Sequence, residues 1–379
     1  MDRLQADVVI IGGGIMGSSA ALHLRLLGRS VILLERGFIA SQASGANFGN
    51  IRESDRYLPQ LPLARRSRDI WQNLGEMVGD TCEYEPIGNL KGVYSEPELE
   101  DLEEYTQQAS AYGLEMEMIG RNALSERYPY LGKDVVGAAF SPFDGCANPR
   151  LVAPAFARTA RGAGADIREF SEVDSVGHSG GSFVMTTKNG IEVRAEALLN
   201  CAGAWGDWIA RNFGENAPIE PQGPQVGVTE PIQKFIDTIL SIRGGHIYLR
   251  QIDRGNVIFG GDPQGPASAE TARAQSLPQS TLGHRERLIQ FVPALKDVHI
   301  IRTWSGVEGY LPDRIPIMGP SMTTDGLFHA FGFCGHGFQL GPAVGAVMAE
   351  LIATGHTDTP IDKFTIARFA KTASGPAEN

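Results

Sequence analysis

Gly12, Gly14 and Gly17 fall on the spacing G-x-G-x-x-G, and Glu35 follows eighteen residues after the last of them. This is dinucleotide chemistry. The first glycine permits a tight turn, the second lets backbone approach a pyrophosphate, and the third lets a helix pack closely on the strand before it. Ile15 and Met16 lie at the start of that helix, where unpaired N–H groups and the helix dipole favour phosphate. Glu35 can accept hydrogen bonds from a ribose diol, with Arg36 beside it. An acid there, rather than an arginine, selects an unphosphorylated ribose, so FAD or NAD rather than NADP.

A second chemical stretch is "FGFCGHGFQLGP", residues 331–342. Cys334 and His336 could form a nucleophile with its base, half of a metal site, or part of a loop shaped around something flat. Nothing supplies the third, orienting group of a catalytic triad. One Cys and one His without further clustered ligands make no metal site. The glycines lead into "GHGFQLGPAVGAVMAELIATG", where Leu340, Val344, Val347, Met348 and Leu351 recur at helical spacing and Gly355 is a natural stop. A helix N-terminus stabilises negative charge, and flavin reduction places such charge at the N1/C2=O ring edge. The stretch Gly335, His336, Gly337, Phe338, Gln339 and Leu340 is therefore expected to present backbone to that edge, with Cys334 as a small packing residue.

The elements around these residues are consistent with that chemistry. Val8 to Ile11 is a continuous apolar run, as in a buried parallel strand. Ala20, Ala21, Leu24 and Leu27 mark the buried stripe of the following helix, and Gly28 is placed to end it. "SVILL" is the second strand. The loop "ASQASGANFGN" is small and polar; Ser41, Ser44, Gly45 and Asn47 are placed to wrap a pyrophosphate and ribityl chain. A second strand and glycine turn, "ALLNCAGAW", offers Cys201, Ala202, Gly203 and Trp205. Three glycine turns spread along one chain favour a long cofactor, FAD over NAD. Further strand pairs are expected around the Asn-Gly of "TTKNGIEV" and the Arg-Gly-Asn of "QIDRGNVIF".

The chain has 379 residues, enough for two domains, and a net charge of −11 that disfavours nucleic acid and anionic membranes as partners. Its four cysteines are scattered without a C-x-x-C pair, so no disulfide framework, zinc or iron–sulfur centre is expected on it. "ADVVIIGGG" follows the start with no basic n-region and long apolar stretch before it, and no run reaches the roughly 20 apolar residues of a membrane span. A cytoplasmic chain is expected, docking at the inner face of the membrane only through partners.

"VVIIGGGIMGSSAALHL", "LLER", "ASGANFGNIR", "ALLNCAGAW", "SGVEGYLPDRIPIMGP" and "GFCGHGFQLGPAVG" together resemble the D-amino-acid oxidase family of FAD-dependent amine oxidoreductases, which includes glycine and sarcosine oxidases. "LPQLPLARRSRDIW" and the Glu-Gly-Tyr-Leu-Pro-Asp run look most like the B or β subunit of bacterial opine oxidases and D-hydroxyproline dehydrogenases. The resemblance implies an α/β fold, with a Rossmann-like FAD-binding domain of the glutathione-reductase type and an inserted mixed α+β substrate domain. The expected FAD-binding segments are 1–50, 144–215 and 301–370. The substrate domain takes 51–143 and 216–300, and 371–379 is a flexible tail. Val173 matches the residue whose backbone contacts adenine, and Gly309 falls in a matching cofactor motif.

The resemblance also implies hydride transfer from the substrate Cα–H to FAD, with the imine then hydrolysed. Val307 stands where relatives carry a flavin-linking cysteine, so FAD should be held non-covalently. Glu308 stands where many carry a carboxylate-binding arginine, and Gln339 where sarcosine oxidases carry a lysine. Arg52, Tyr248 and Arg250 are the remaining candidates for the substrate, the last two sharing one face of a strand. Glu308 either meets the basic end of an arginine-derived opine or is a buried acid paired with an arginine. Partner subunits carrying FMN, a second FAD or an iron–sulfur cluster are implied. The alternatives are an oxygen-using glycine, sarcosine or D-amino-acid oxidase, an FAD-bearing structural subunit, and an NAD-dependent dehydrogenase.

Overall fold

The computed structural model describes residues 2–370; the expected tail, 371–379, lies outside them. The first strand, Asp2–Ile11, is central in a sheet ordered Ile317–Pro320, Leu327–Phe331, Ile191–Asn200, Asp2–Ile11, Val31–Leu34, Asp166–Arg168. Along this order all neighbours run parallel except the first pair, and Ser182–Thr187 joins Ile191–Asn200 antiparallel off its path. Ile11 is opposite Leu34 on one side and Asn200 on the other. The chain therefore leaves the central strand at the point where strand order reverses, and a crevice opens beyond the carboxyl ends of the strands.

One face of this sheet is covered by the helices Ile15–Leu26, Leu61–Gln72, Pro149–Gly162 and Gly337–Thr354, packed on Val8, Ile10, Leu33 and Leu199. The first and last of these approach closely because the last carries glycines at the contact. A Cβ on Gly341 would lie 2.6 Å from Ile15, and one on Gly345 2.3 Å from the Ser19 hydroxyl. The last helix is long and apolar enough to cross a membrane, but most of it is buried inside the protein. The other face is covered by the meander Val173–Ser179, Ser182–Thr187, where Phe183 and Met185 meet Val9 and Ile11. Gly28 takes the left-handed conformation that ends the first helix (φ 78°), but Leu27 is 46 % exposed and falls outside the expected stripe.

The second sheet has ten strands, with Ile300–Ser305 at one end and Glu117–Gly120 at the other, and it is antiparallel except where Ile239–Ile242 runs beside Asn89–Val93. Its core gathers Leu90, Ile242, Leu249, Phe259 and Phe291, the last from the helix Pro278–Phe291. Two boundaries differ from the expected ones. Strands Ile300–Ser305 and Glu308–Tyr310 pair with Glu220–Pro231 and so belong to the second sheet rather than to the C-terminal FAD segment. Leu63, Ala64, Trp71 and Leu74 join the core under the first sheet, so the helix Leu61–Gln72 goes with the dinucleotide unit, not with 51–143. An amphipathic helix carries no local mark of which sheet it will cover.

Candidate active site

A cavity of about 580 Å³ runs from the first glycine turn to the second sheet. Its two turns are held in contact by backbone: the Cys201 N–H donates to the Ile11 carbonyl at 2.9 Å. A Cβ on Gly12 (φ 110°) would sit 2.3 Å from the Cys201 carbonyl oxygen. Asn200 fixes the second turn, accepting from the Ala202 N–H and donating to the Gly206 carbonyl. Gly12, Gly14, Ile15, Met16, Cys201, Ala202, Gly203 and Trp205 all line the cavity. Gly17 and Gly45 do not. Their glycine character serves close packing instead, since added Cβ atoms would lie 2.0 Å from the Gly12 oxygen and 2.3 Å from the Ala40 oxygen.

Glu35 accepts from the Gly13 N–H and the Gly37 N–H, each at 2.7 Å, which fixes its carboxylate on the cavity wall with lone pairs to spare. Ser44 accepts from the Ile15 N–H at 3.0 Å. Ser41 and Val173 line the wall, as does Asn47, whose side chain is occupied by the Ala43 and Ser44 carbonyls and the Gly49 N–H. The Arg36 guanidinium lies 3.4 Å over the Trp205 ring with one terminal nitrogen buried and unpartnered.

At the other end the cavity meets Phe331–Phe338. Cys334 accepts from the Leu311 N–H at 3.2 Å, and burial pushes its thiol up to about 12. That thiol is a wall, not a nucleophile, and no hydrogen bond joins it to His336. His336 caps the helix Gly337–Thr354. Burial, with Arg52 and Arg56 nearby, holds it well below the usual imidazole range, so the ring is neutral, and its Nδ1 is buried without a partner. Gly309, Gly335, Gly337 and Phe338 line the cavity. Gln339 and Leu340 lie outside it, contrary to expectation. Gln339 donates to the Ala64 carbonyl at 2.8 Å, and Leu340 packs in the core, because they point to the helix side facing Leu61–Gln72.

Of the residues expected to meet the substrate, Glu308, Tyr248 and Arg52 line the cavity. Glu308 accepts from the Gly335 N–H at 2.6 Å, and no salt bridge reaches it among the described residues. Of the two readings of this acid, the pairing with an arginine is not found among the described residues. Burial raises this carboxyl to about 7 against the lowering effect of the Gly335 bond. Arg250 is corrected too: it is 7 % exposed and bonds to the carbonyls of Phe48 and Ala147, outside the cavity. Tyr248 and Arg250 do share a face, since both meet the Phe48 ring, but Arg250 sits one pleat further from the opening.

Three basic lining residues lie outside the sequence candidates, Arg56, Lys91 and Arg314, with Asp55 between Lys91 and Arg52. The sequence signals were a lysine amid the apolar strand "NLKGV" and the charge cluster "RESDR". Among the described residues no group of three or more His, Cys, Asp or Glu could hold a metal ion.

An extended dinucleotide fits this site on two counts. A glycine cradle is kept open where any Cβ would collide, and the buried unpartnered nitrogens of Arg36 and His336 stand at its two ends. Comparison with known proteins agrees. The family described as "FAD dependent oxidoreductase" (DAO) matches residues 7–351. The sarcosine oxidase beta chain of Rhizobium meliloti (strain 1021) is 29 % identical over 377 residues, covering 96 % of this chain and 88 % of that one. The B component of the opine oxidase of Rhizobium meliloti is 26 % identical, covering 96 % and 98 %. The crystal structure of L-proline dehydrogenase from P. horikoshii superposes with a TM-score of 0.89 at 28 % identity, covering 97 % and 98 %.

Proposed function

Because this chain belongs to the DAO family of FAD-dependent oxidoreductases, enzymes acting on amino acids and amines, we propose that it oxidises a secondary-amine amino acid, an opine or D-hydroxyproline, and delivers the electrons to a partner protein. The observation that carries this reading is Glu308. A carboxylate stands where a plain amino-acid oxidase would hold its substrate with arginine, and it faces the cavity without a cation of its own.

FAD, held non-covalently beside Val307, supplies the acceptor for a hydride. The reaction takes that hydride from the substrate Cα–H and a proton from its nitrogen; water then hydrolyses the imine, splitting an opine into a keto acid and an amine and opening the ring of D-hydroxyproline to an amino keto acid. The amine reacts when neutral. Glu308, raised to about 7, is suited to hold the ammonium and take its proton, and in an arginine-derived opine to meet the guanidinium. Tyr248 walls the same side, and the N-terminus of the helix Gly337–Thr354 borders the cavity, where its dipole would favour negative charge on a reduced flavin. Two of the relatives are named as single subunits of their oxidases, which supports partners that take up the electrons.

Anaerobic reduction of the purified protein, with and without co-expressed neighbouring subunits, tests the proposal with octopine, nopaline, D-hydroxyproline, proline, glycine and sarcosine. An opine or D-hydroxyproline should bleach the flavin fastest. Fastest bleaching by glycine or sarcosine would defeat the proposed substrate class. With arginine-derived and neutral substrates compared, Glu308→Gln should erase the preference for the former if the guanidinium is bound there.

A further inference from the structure

The basic corner of the cavity carries more positive charge than its acids neutralise. Arg56 is 4 % exposed and lines the cavity, yet its guanidinium meets only carbonyls: Nε donates to Arg52 at 2.6 Å and a terminal nitrogen to His336 at 3.3 Å. Lys91, also 4 % exposed, pairs with Asp55 at 2.9 Å, but the same carboxylate serves Arg243 at 2.9 Å and Arg52 at 3.8 Å. Arg243 leans as well on Asp101 at 2.7 Å, and Arg68 is taken by Glu53 at 3.3 Å. Asp144, behind the loop, accepts from the Glu53 N–H, the Ser54 hydroxyl and, at 3.4 Å, the Asn89 amide.

Five cations thus face four carboxyl groups, of which burial raises Glu53 to about 7, and the facing imidazole of His336 is neutral, so the corner keeps at least one positive charge in excess. A buried guanidinium without a counter-charge is costly to maintain. The surplus is shared among Arg56, Lys91 and Arg52, and the bond from Arg56 to the His336 carbonyl puts it at the start of the last helix, at the Phe331–Phe338 end of the cavity.

We infer that Arg56 and Lys91, with Arg52, are the receptor for the carboxylate of the substrate, replacing the arginine absent at Glu308. This rests on the reading of the chain as an amino-acid oxidoreductase. The substrate then lies between two opposite poles, its carboxylate on the basic corner and its ammonium toward Glu308. A carboxylate offsets the corner's excess positive charge.

The test uses the purified full chain and tetrahydrofuran-2-carboxylate, whose ring oxygen replaces the amine so that no oxidation follows, with its carboxamide as the uncharged control. Calorimetry measures both affinities, while visible absorbance of the same samples reports bound FAD. The acid should bind wild-type protein at least about tenfold more tightly than the carboxamide, and Arg56→Met or Lys91→Met should each weaken the acid by about tenfold or more while leaving the carboxamide within about twofold. Arg56→Lys should retain part of the affinity and covers the case in which Arg56→Met does not fold. Equal binding of acid and carboxamide, or acid affinity unmoved in the folded variants, overturns the assignment. So does a lower flavin potential in Arg56→Met with unchanged acid affinity, because the charge would then serve the reduced cofactor. A colourless protein would instead sink the FAD reading, and the calorimetric answer would stand apart from it.

Discussion

Replacing Glu308 by Gln removes one charge from the cavity and keeps an oxygen that can still accept from the Gly335 N–H. The wild-type carboxyl is raised from 4.5 to about 7 by burial, so the folded protein binds this proton more tightly than the unfolded chain does. Its stabilising contribution is complete below pH 4.5 and is lost as pH rises through 7. At about 1.4 kcal/mol per pH unit the interval is worth about 3 kcal/mol, and water in the open cavity reduces that to about 1–3 kcal/mol. Glu308→Gln should therefore match wild type near pH 5 and exceed it above pH 7.5, by about 1–4 °C in Tm for a chain of this size. Thermal unfolding of both flavin-loaded proteins from pH 5 to 9 gives the comparison. A Tm difference that stays flat with pH, or a wild type that gains on the variant as pH rises, would refute the idea of an unpaired acid in the cavity.

Gly17→Ala should abolish FAD absorbance in the purified protein and lower Tm, since its Cβ would lie 2.0 Å from the Gly12 carbonyl oxygen, which is backbone and cannot yield. Arg250→Met should cost about 1–3 kcal/mol of stability by stranding two buried carbonyls. Because Arg250 lies outside the cavity, the reduction rate per bound flavin and its half-saturating substrate concentration should stay near wild type; a large rise in the latter would return it to the substrate site. His336 is neutral across the working range, so stopped-flow reduction rates should show no limb near pH 6.5 that His336→Asn removes.

The dinucleotide end of the site was legible because it is local. Glycine spacing, the apolar strand before it, the helix after it and the acid at Glu35 are all set within one βαβ unit, and each lines or supports the cavity. The helix after Gly337 was legible for the same reason, from apolar periodicity and a terminal glycine. Which of its residues face the cavity was not. Gln339 and Leu340 turn away because a helix winds by about 100° per residue and the neighbouring helix Leu61–Gln72 claims that side. Strand parity put Tyr248 and Arg250 on one face, yet parity carries no depth, and only the packed structure shows that Tyr248 lines the cavity while Arg250 is spent on two backbone carbonyls. Arg56 and Lys91 lie thirty-five residues apart on a loop and a strand, and nothing along the chain links them. Charge balance is a property of neighbours in space, so the unpaired guanidinium of Arg56 and the unpaired carboxylate of Glu308 emerge only when two sheets close around one cavity. The sequence alone determined which cofactor this protein is built to hold; the tertiary structure decided where the opposite charges lining its cavity would stand.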